Sequence, residues 1–255
     1  MLDPKNTIVI ADFDGTLNKK EVNGKRITSF ASLVQHNVDY MTLEGVQKFH
    51  SLAERYHPIE MDPTVSLEEK SKHMQEWWEQ CYIAYKQYHV TKRMIAETCT
   101  SPFFQLRDGL QQFFEYLAAH HVPLIIYSAN ALGIESIQMV LETHHLSTSN
   151  VRICSNNVHF DQEGNFIKVI PPIITSANKT GETLIKNNFI SQTPKERCCL
   201  LIGDGLNDIR MTEGIHFDKV YTVAFADTAS SAFTERFDLV LPIDAGYEPI
   251  SALFK

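Results

Sequence analysis

Short apolar runs alternate with amphipathic stretches along most of this chain. The apolar runs are bounded by turn residues and predict buried strands at residues 7–11, 122–128, 151–155, 198–203, 220–225 and 238–241. Helical spacing of apolar positions predicts helices between them, at residues 108–121, 133–145, 179–189, 206–213 and 229–236. Such alternation is typical of a mostly parallel sheet with helices on both faces.

Residues 18–100 break this alternation, since their periodicity is helical and they carry almost no strand signal. Helices are predicted at residues 42–56, from Ser66 onward and at residues 91–98. We expect Pro58 to end the first of these helices, and Ser66 with Glu69 forms a capping box at the start of the second.

The predicted fold class is α/β, with a doubly wound, mostly parallel, Rossmann-like sheet and an inserted helical domain. Residues 1–17 and 101–255 are predicted to form the core, and residues 18–100 a cap that leaves the core after the first strand. Ligands of such sheets bind beyond the carboxyl ends of the strands, so we expect the cap to lie over the site.

Composition and charge narrow the classes of protein. The 255 residues are 44% hydrophobic, enough for a large core, and the net charge of -8 argues against a nucleic-acid partner. No apolar run has the length of a membrane span, no signal-peptide pattern begins the chain, and the five cysteines show no metal-ligand spacing. We predict a cytoplasmic protein with reduced thiols, a monomer or weak homodimer, that acts on a small molecule away from membranes.

Two carboxylates, Asp12 and Asp14, directly follow the first strand. Alternation along the extended chain points both side chains the same way, with Phe13 turned back toward the core. Two neighbouring acids raise the electrostatic energy, so a cation or a proton must share the site. Taken alone, the pair would also fit a strand that ends in a solvated acidic turn.

Further polar motifs follow two other predicted strands. One is Ser128-Ala129-Asn130, and the other is the stretch 203–208, which contains Asp204 and Asp208. Lys179 lies between them and is predicted to open a helix. Because parallel strands end at the same edge of a sheet, all of these motifs are expected to converge there.

These motifs, in this order, resemble the haloacid dehalogenase-like phosphohydrolase superfamily. The resemblance implies that Asp12 is a nucleophile that forms an aspartyl-phosphate and that Asp14 is the general acid and base. It also implies Mg²⁺ as cofactor, bound by Asp12, Asp204 and the backbone carbonyl of Asp14. Asp208 is expected to lie behind these ligands and to orient Lys179 or a metal-bound water.

The same resemblance assigns the phosphate-binding groups. Ser128 is expected to donate a hydrogen bond to a phosphate oxygen, together with the amides of Ala129 and Asn130. Lys179 would neutralise the charge of the transition state. An isolated lysine or serine would not indicate phosphate binding. Lys179 and Ser128 indicate it because of their order among the acidic motifs.

Segments within residues 18–100 narrow the resemblance to the cytosolic 5'-nucleotidase III (pyrimidine 5'-nucleotidase) family. The similar segments are residues 56–63, 67–70 and 74–78. This implies a nucleoside 5'-monophosphate substrate, with a pyrimidine base favoured. The implied base contacts are Glu44 as an acceptor, Trp78 as a stacking platform and Phe30 as the opposite wall.

Three alternatives stay open. The substrate could be another small phosphomonoester, such as a phosphoserine-like compound or a sugar phosphate, or it could be 7-methylguanosine monophosphate. A catalytically silent binding module could also use the same cleft. The chain departs from the family pattern at Asn130, where glycine is usual, and at Gly205, where serine is usual, and this leaves the base preference open.

Overall fold

The computed structural model describes residues 1–254, and its strands largely follow the predicted order. The strands are β1 (Thr7–Ala11), β2 (Glu21–Val22), β3 (Lys25–Arg26), β4 (Leu124–Tyr127), β5 (Val151–Cys154), β6 (Asn157–Phe160), β7 (Phe166–Ile170), β8 (Cys198–Gly203), β9 (Lys219–Phe225) and β10 (Leu239–Leu241). Six of them form one sheet in the order β10-β9-β8-β1-β4-β5, and every pairing in it is parallel. The α/β class and the parallel sheet are thereby confirmed.

The helices lie between these strands and in one long stretch after β1. They are α1 (Phe30–Gln35), α2 (Leu43–Met61), α3 (Leu67–Gln87), α4 (Lys92–Cys99), α5 (Leu110–Ala119), α6 (Gly133–Thr143), α7 (Gly181–Lys186), α8 (Ser231–Thr234) and α9 (Glu248–Ser251). A 3-10 helix spans Leu206–Thr212. Among residues 1–254, no helix is both long enough and apolar enough to cross a membrane.

Strand β1 lies at the centre of the sheet and is buried along its whole length. Val9 pairs with Leu124 of β4 on one side and with Leu200 of β8 on the other. Successive side chains of β1 alternate between two hydrophobic clusters, with Ile8 and Ile10 in one and Val9 in the other. Both faces of the sheet are therefore covered, as a doubly wound fold requires.

Helices α1–α4 all lie within residues 18–100, where a cap was predicted. Trp77 of α3 stacks on Tyr56 of α2, with ring centroids 5.9 Å apart and planes 16° apart, and Met74 is fully buried. The short antiparallel pair β2–β3 also lies in this stretch, so strand structure is not entirely absent from it. The division of the chain into core and cap stays a prediction.

Helix α2 continues past Pro58 to Met61, so the predicted end at Tyr56 is wrong. Proline removes its own N–H donor and crowds the carbonyl four residues earlier, but it leaves the later hydrogen bonds of the helix possible. The N–H of Asp62 still donates to the carbonyl of Pro58 at 3.0 Å, which completes the last turn. The helix can therefore accept the ring near its carboxyl end.

Lys179 precedes a helix rather than opening it. Helix α7 begins at Gly181, and its N-cap is Thr180, whose hydroxyl accepts the N–H of Thr183. The side chain of Lys179 is thereby left outside the helix, on the loop that approaches the carboxyl edge of the sheet.

Candidate active site

Three loops meet at the carboxyl edge of the sheet. The first acidic loop (residues 12–17) follows β1, the serine loop (residues 128–132) follows β4, and the second acidic loop (residues 203–208) includes the end of β8. Since β1 pairs with both β4 and β8, the three loops are neighbours. Motifs that lie more than 100 residues from the first acidic loop in sequence are thus brought next to it by strand pairing.

Three carboxylates of these loops form one cluster around a lysine. Asp12, Asp204 and Asp208 offer oxygen atoms that lie within 4.8 Å of one another. Lys179 Nζ lies 2.8 Å from Asp12 Oδ1 and 2.7 Å from Asp208 Oδ1, and the lysine is 6% exposed. Burial acts to lower the pKa of Lys179, but Asp12 and Asp208 outweigh it and raise that pKa, so the ammonium group keeps its charge.

Burial raises the pKa of Asp12 well above its ordinary value, and Lys179 only partly opposes this. The neighbouring carboxylates Asp208 and Asp204 raise it further. The free energy of ionising Asp12 is therefore high in the protein alone, and a second cation beside it would lower that cost.

Asp208 uses both of its oxygen atoms within the protein. Oδ1 contacts Lys179, and Oδ2 accepts the N–H groups of Asp204 at 3.0 Å and Gly205 at 2.9 Å. A Cβ at position 203 would lie 2.4 Å from Asp208 Oδ2, so the glycine there makes room for this turn. With both oxygens of Asp208 engaged by protein donors, Asp12 and Asp204 are the better candidates to hold a cation, and an all-oxygen donor set suits Mg²⁺.

Asp14 is held by two donors. Its Oδ1 accepts the backbone N–H of Phe30 at 2.5 Å, and its Oδ2 accepts the side-chain amide of Asn130 at 2.8 Å. Burial raises the pKa of Asp14 to about 6, although both hydrogen bonds act to lower it. A carboxyl group with this pKa can give and take a proton near neutral pH.

The serine loop is preorganised by its own side chains. Ser128 Oγ accepts the N–H of Asn130 at 3.0 Å, and Asn130 Oδ1 accepts the N–H of Leu132 at 2.8 Å. Asn156 supports the loop from behind, because its side-chain amide donates to the carbonyl of Asn130 at 3.1 Å. Ser128 directly follows β4 and is 1% exposed, so it lies at the buried base of the loop.

Arg107 lies beneath the first acidic loop and was not recognised from the sequence. It donates to the carbonyls of Gly15 at 2.5 Å and Thr16 at 3.0 Å. Its other N–H groups reach the C-terminal segment, at the carbonyls of Ile243 and Ala245. This guanidinium group, 2% exposed, ties the first acidic loop to the segment that follows β10.

Of the side chains predicted to contact a base, Trp78 reaches the site. Its indole N–H donates to the carbonyl of Ala129 in the serine loop at 3.0 Å, and the side chain is half-buried. Its neighbour Trp77 stacks on Tyr56 and packs edge-on against Trp78, with the indole centroids 5.1 Å apart. As expected for adjacent helical residues, the two rings have different surroundings.

The other two side chains predicted to contact a base, those of Phe30 and Glu44, lie in different surroundings. The ring of Phe30 is 0% exposed and packs edge-on against Phe13 and Phe104, so it offers no surface for a base. Its backbone N–H, rather than its ring, takes part in the site. Glu44 is exposed in the first turn of α2, where it accepts the hydroxyl of Tyr88 at 3.2 Å.

A cleft of about 170 Å³ separates α2 and α3 from the core loops. Its lining includes Glu60 and Lys70 from the helical side and Ser176 and Asn207 from the core side. Asn207 belongs to the stretch between Asp204 and Asp208, so this cleft lies beside the acidic cluster. Glu60 belongs to a segment that carried the family resemblance, but its position in the cleft required the structure.

The sheet order and the acidic site define the class, a haloacid dehalogenase-like phosphatase fold. The chain belongs to the pyrimidine 5'-nucleotidase (UMPH-1) family, whose model matches residues 15–255. The predicted family and enzyme class, a 5'-nucleotidase that hydrolyses phosphomonoesters, are confirmed.

Individual relatives agree with this assignment. The 7-methylguanosine phosphate-specific 5'-nucleotidase of Gallus gallus is 27% identical over 252 residues, covering 97% of this chain and 86% of that protein. A Caenorhabditis elegans protein named as a cytosolic 5'-nucleotidase 3 is 31% identical over 246 residues, covering 92% of this chain and 65% of that protein. The structure of cytosolic 5'-nucleotidase IIIB bound to cytidine superposes with a TM-score of 0.79 at 21% identity, covering 98% and 86% of the two chains.

Proposed function

We propose that the protein is a Mg²⁺-dependent 5'-nucleotidase that releases phosphate from a nucleoside 5'-monophosphate through an aspartyl-phosphate on Asp12. The observation that carries this proposal is the contact of Lys179 with Asp12, beside Asp204, at the carboxyl edge of the sheet. A pyrimidine base is favoured by the family, and 7-methylguanosine is the second choice because the Gallus gallus relative is named for it.

Asp12 and Asp204 are proposed to hold Mg²⁺, with the backbone carbonyl of Asp14 as a third ligand. The donor set fits, because these side chains offer clustered oxygen atoms while Asp208 is occupied by Lys179 and two amides. When bound, the ion would reduce the repulsion between the nucleophilic carboxylate and the dianionic phosphate and would polarise a phosphate oxygen.

In the first step, a carboxylate oxygen of Asp12 attacks phosphorus, and the bond from phosphorus to the ester oxygen breaks. Asp14, protonated at a pKa of about 6, gives its proton to the leaving 5'-oxygen. Lys179 stays charged and stabilises the negative charge on the transferred group. The products of this step are the nucleoside and the phosphorylated Asp12.

In the second step, a water molecule attacks the phosphorus of the aspartyl-phosphate. Asp14, now ionised, accepts a proton from this water, and the bond between phosphorus and the Asp12 oxygen breaks. Inorganic phosphate leaves, and Asp12 is restored. The hydrogen bonds from Phe30 N–H and Asn130 hold the Asp14 carboxyl group in place for both proton transfers.

The serine loop is proposed to bind the phosphate from the other side. The hydroxyl of Ser128 accepts from Asn130 and still has its own proton to donate. The backbone amide of Ala129 is a second donor at this position. The internal hydrogen bonds of the loop support this role, since they hold its donors in place before the substrate arrives.

The rest of the substrate is proposed to lie under the helices of residues 18–100, which act as a cap. The cleft beside Glu60 and Asn207 supports this, because it adjoins the acidic cluster and has polar groups on both sides. Trp78 stays a candidate stacking surface. Glu44, exposed beside Tyr88 in the first turn of α2, stays a candidate acceptor for groups of the base.

The setting of the enzyme is proposed to be the cytoplasm, in keeping with the name of the Caenorhabditis elegans relative. The net charge of -8 supports a small substrate rather than nucleic acid. The protein is further proposed to be a monomer or weak homodimer that does not associate with membranes.

The test is a phosphate-release screen with CMP, UMP, 7-methylguanosine monophosphate, AMP, phosphoserine and glucose 6-phosphate. Each compound is assayed with Mg²⁺ and with EDTA. We expect at least one nucleoside monophosphate to exceed phosphoserine by more than about tenfold in kcat/KM, and EDTA to abolish release. A preference for phosphoserine or the sugar phosphate, or full activity in EDTA, would overturn the proposal.

A further inference from the structure

Lys20 provides a second cation at the acidic cluster. Its ammonium group forms an ion pair with Asp204 Oδ2, and the two side chains are 22% and 14% exposed. Asp204 is one of the two carboxylates proposed to hold Mg²⁺. The chain therefore places a positive charge of its own against a ligand of the metal.

The loop that carries the nucleophile makes room for this contact. A Cβ at position 15 would lie 2.5 Å from Lys20 Cε and 2.5 Å from Asp204 Oδ2. The side chain of Lys20 thus reaches Asp204 across the bare backbone of Gly15, through space that a larger residue would fill. Gly15 also has φ +71°, which favours glycine independently.

Every other carboxylate of the site has a different partner. Asp12 and Asp208 share Lys179, and Asp14 is bound by Asn130 and a backbone amide. Among residues 1–254, the lysine that forms an ion pair with Asp204 is Lys20. Mg²⁺ and an ammonium group cannot both occupy the same face of one carboxylate oxygen, because both are cations at contact distance.

We propose that Lys20 is an internal counter-ion of Asp204 that competes with Mg²⁺ for this carboxylate. In the metal-free protein Lys20 offsets part of the repulsion among the clustered acids, and metal binding requires its ammonium group to leave Asp204. The protein would then tolerate low Mg²⁺ without unfolding, at the cost of a weaker affinity for the metal. This inference rests on the proposed metal site but not on the identity of the nucleotide.

The test compares Mg²⁺ binding to the full-length protein and to Lys20→Met by titration calorimetry, without substrate. Methionine keeps much of the aliphatic stem and removes the charge. We expect Lys20→Met to bind Mg²⁺ at least about tenfold more tightly and to have a lower Tm than the parent when metal-free. Lys20→Arg retains a cation and is expected to stay within about threefold of the parent.

Lys19→Met is the matched control. Lys19 is adjacent in sequence, but its ammonium group contacts the exposed carboxylate of Asp108 at 2.9 Å. Lys19→Met changes the net charge as much as Lys20→Met does, and it should leave the Mg²⁺ affinity within about twofold of the parent. Equal Mg²⁺ affinities for the parent and Lys20→Met would overturn the competition while leaving the metal site intact. Equal gains in Mg²⁺ affinity for Lys19→Met and Lys20→Met would have the same meaning. Failure of Mg²⁺ to bind any of these proteins would overturn the metal site and the competition together.

Discussion

Trp78 donates its indole N–H to the backbone carbonyl of Ala129 across 3.0 Å, and this bond joins α3 to the serine loop. Ala129 lies between Ser128 and Asn130, the two residues whose hydrogen bonds shape that loop. A single side chain of the helical stretch therefore contacts the backbone that is proposed to bind phosphate. We expect this contact to couple the position of α3 to the conformation of the serine loop.

Replacement of Trp78 by phenylalanine removes the N–H donor and keeps an aromatic ring. We expect a loss of roughly 1 kcal/mol in the coupling between α3 and the serine loop, since one neutral hydrogen bond is removed. Hydrogen exchange at residues 128–132 should become faster, and KM for the nucleotide should rise several-fold. Trp77→Phe is the control, because Trp77 packs on Tyr56 and edge-on against Trp78 but is not the donor to the serine loop. Equal changes in both variants would contradict this role.

The fold was largely predictable because its signals are local. The apolar runs that form β1, β4 and β8 are bounded by turn residues, and the acidic and serine motifs follow these strands directly. Once the strands are taken as parallel neighbours, the meeting of Asp12, Ser128 and Asp204 at one edge follows from topology alone. The helix cap at Ser66 was likewise encoded within four residues of sequence, since its hydroxyl accepts the N–H of Glu69.

Contacts that depend on side-chain direction over long distances could not be predicted. Arg107 acts on backbone carbonyls 91 and 92 residues earlier in the chain, and carbonyls carry no residue signature. Phe30 was assigned a role for its ring, but its backbone N–H meets Asp14 while the ring enters the core. Lys20 could not be distinguished from a solvated lysine until Gly15 was seen to open its path to Asp204.

Asp12→Asn tests the covalent route. Asparagine has nearly the same shape but is not a nucleophile, so we expect kcat to fall by at least about 10³-fold. The fold should survive, because burial already raises the pKa of Asp12 and makes its charge costly, while Lys179 keeps Asp208 as a partner. Phosphate release and the thermal midpoint are measured together. Asp108→Asn, an exposed carboxylate, serves as control, and residual turnover of a few per cent in Asp12→Asn would refute the aspartyl-phosphate.

Arg107→Lys tests how the first acidic loop is held. Lysine keeps the charge but lacks the planar set of donors, so it cannot serve all four carbonyls, of which those of Gly15 and Thr16 are buried. We expect a loss of about 3 kcal/mol or more in the free energy of unfolding, together with a lower kcat.

Arg152→Lys is the matched control for Arg107. Arg152 also donates to two backbone carbonyls, those of Phe189 and Asn188, but it is exposed to solvent. Water can replace its contacts, so the expected loss is within about 0.5 kcal/mol and kcat should be unchanged. Similar losses in the free energy of unfolding for the two variants, measured in urea, would show that the contacts of Arg107 stabilise the fold no more than the exposed contacts of Arg152 do.

Two histidines on the helical stretch are expected to affect stability with opposite signs. Burial lowers the pKa of His36, and the charges of His50, stacked 4.8 Å away, and Lys25 lower it further. A hydrogen bond with Glu60 raises the pKa of His57, with burial in opposition. The unfolded value of both is near 6.5. Below that pH the folded protein therefore binds a proton less readily than the unfolded chain at His36 and more readily at His57.

The stability that neutral His36 contributes is present above pH 6.5 and is lost as the pH falls toward its lowered pKa. The contribution of His57 is present below pH 6.5 and is lost as the pH rises through its raised pKa. As the pH falls from about 7 to about 5, the stability of His36→Gln relative to the parent should rise. Over the same fall in pH, the stability of His57→Gln relative to the parent should decrease. Urea unfolding at several pH values measures both differences. Two differences of the same sign would show that these rings do not titrate in the environments described.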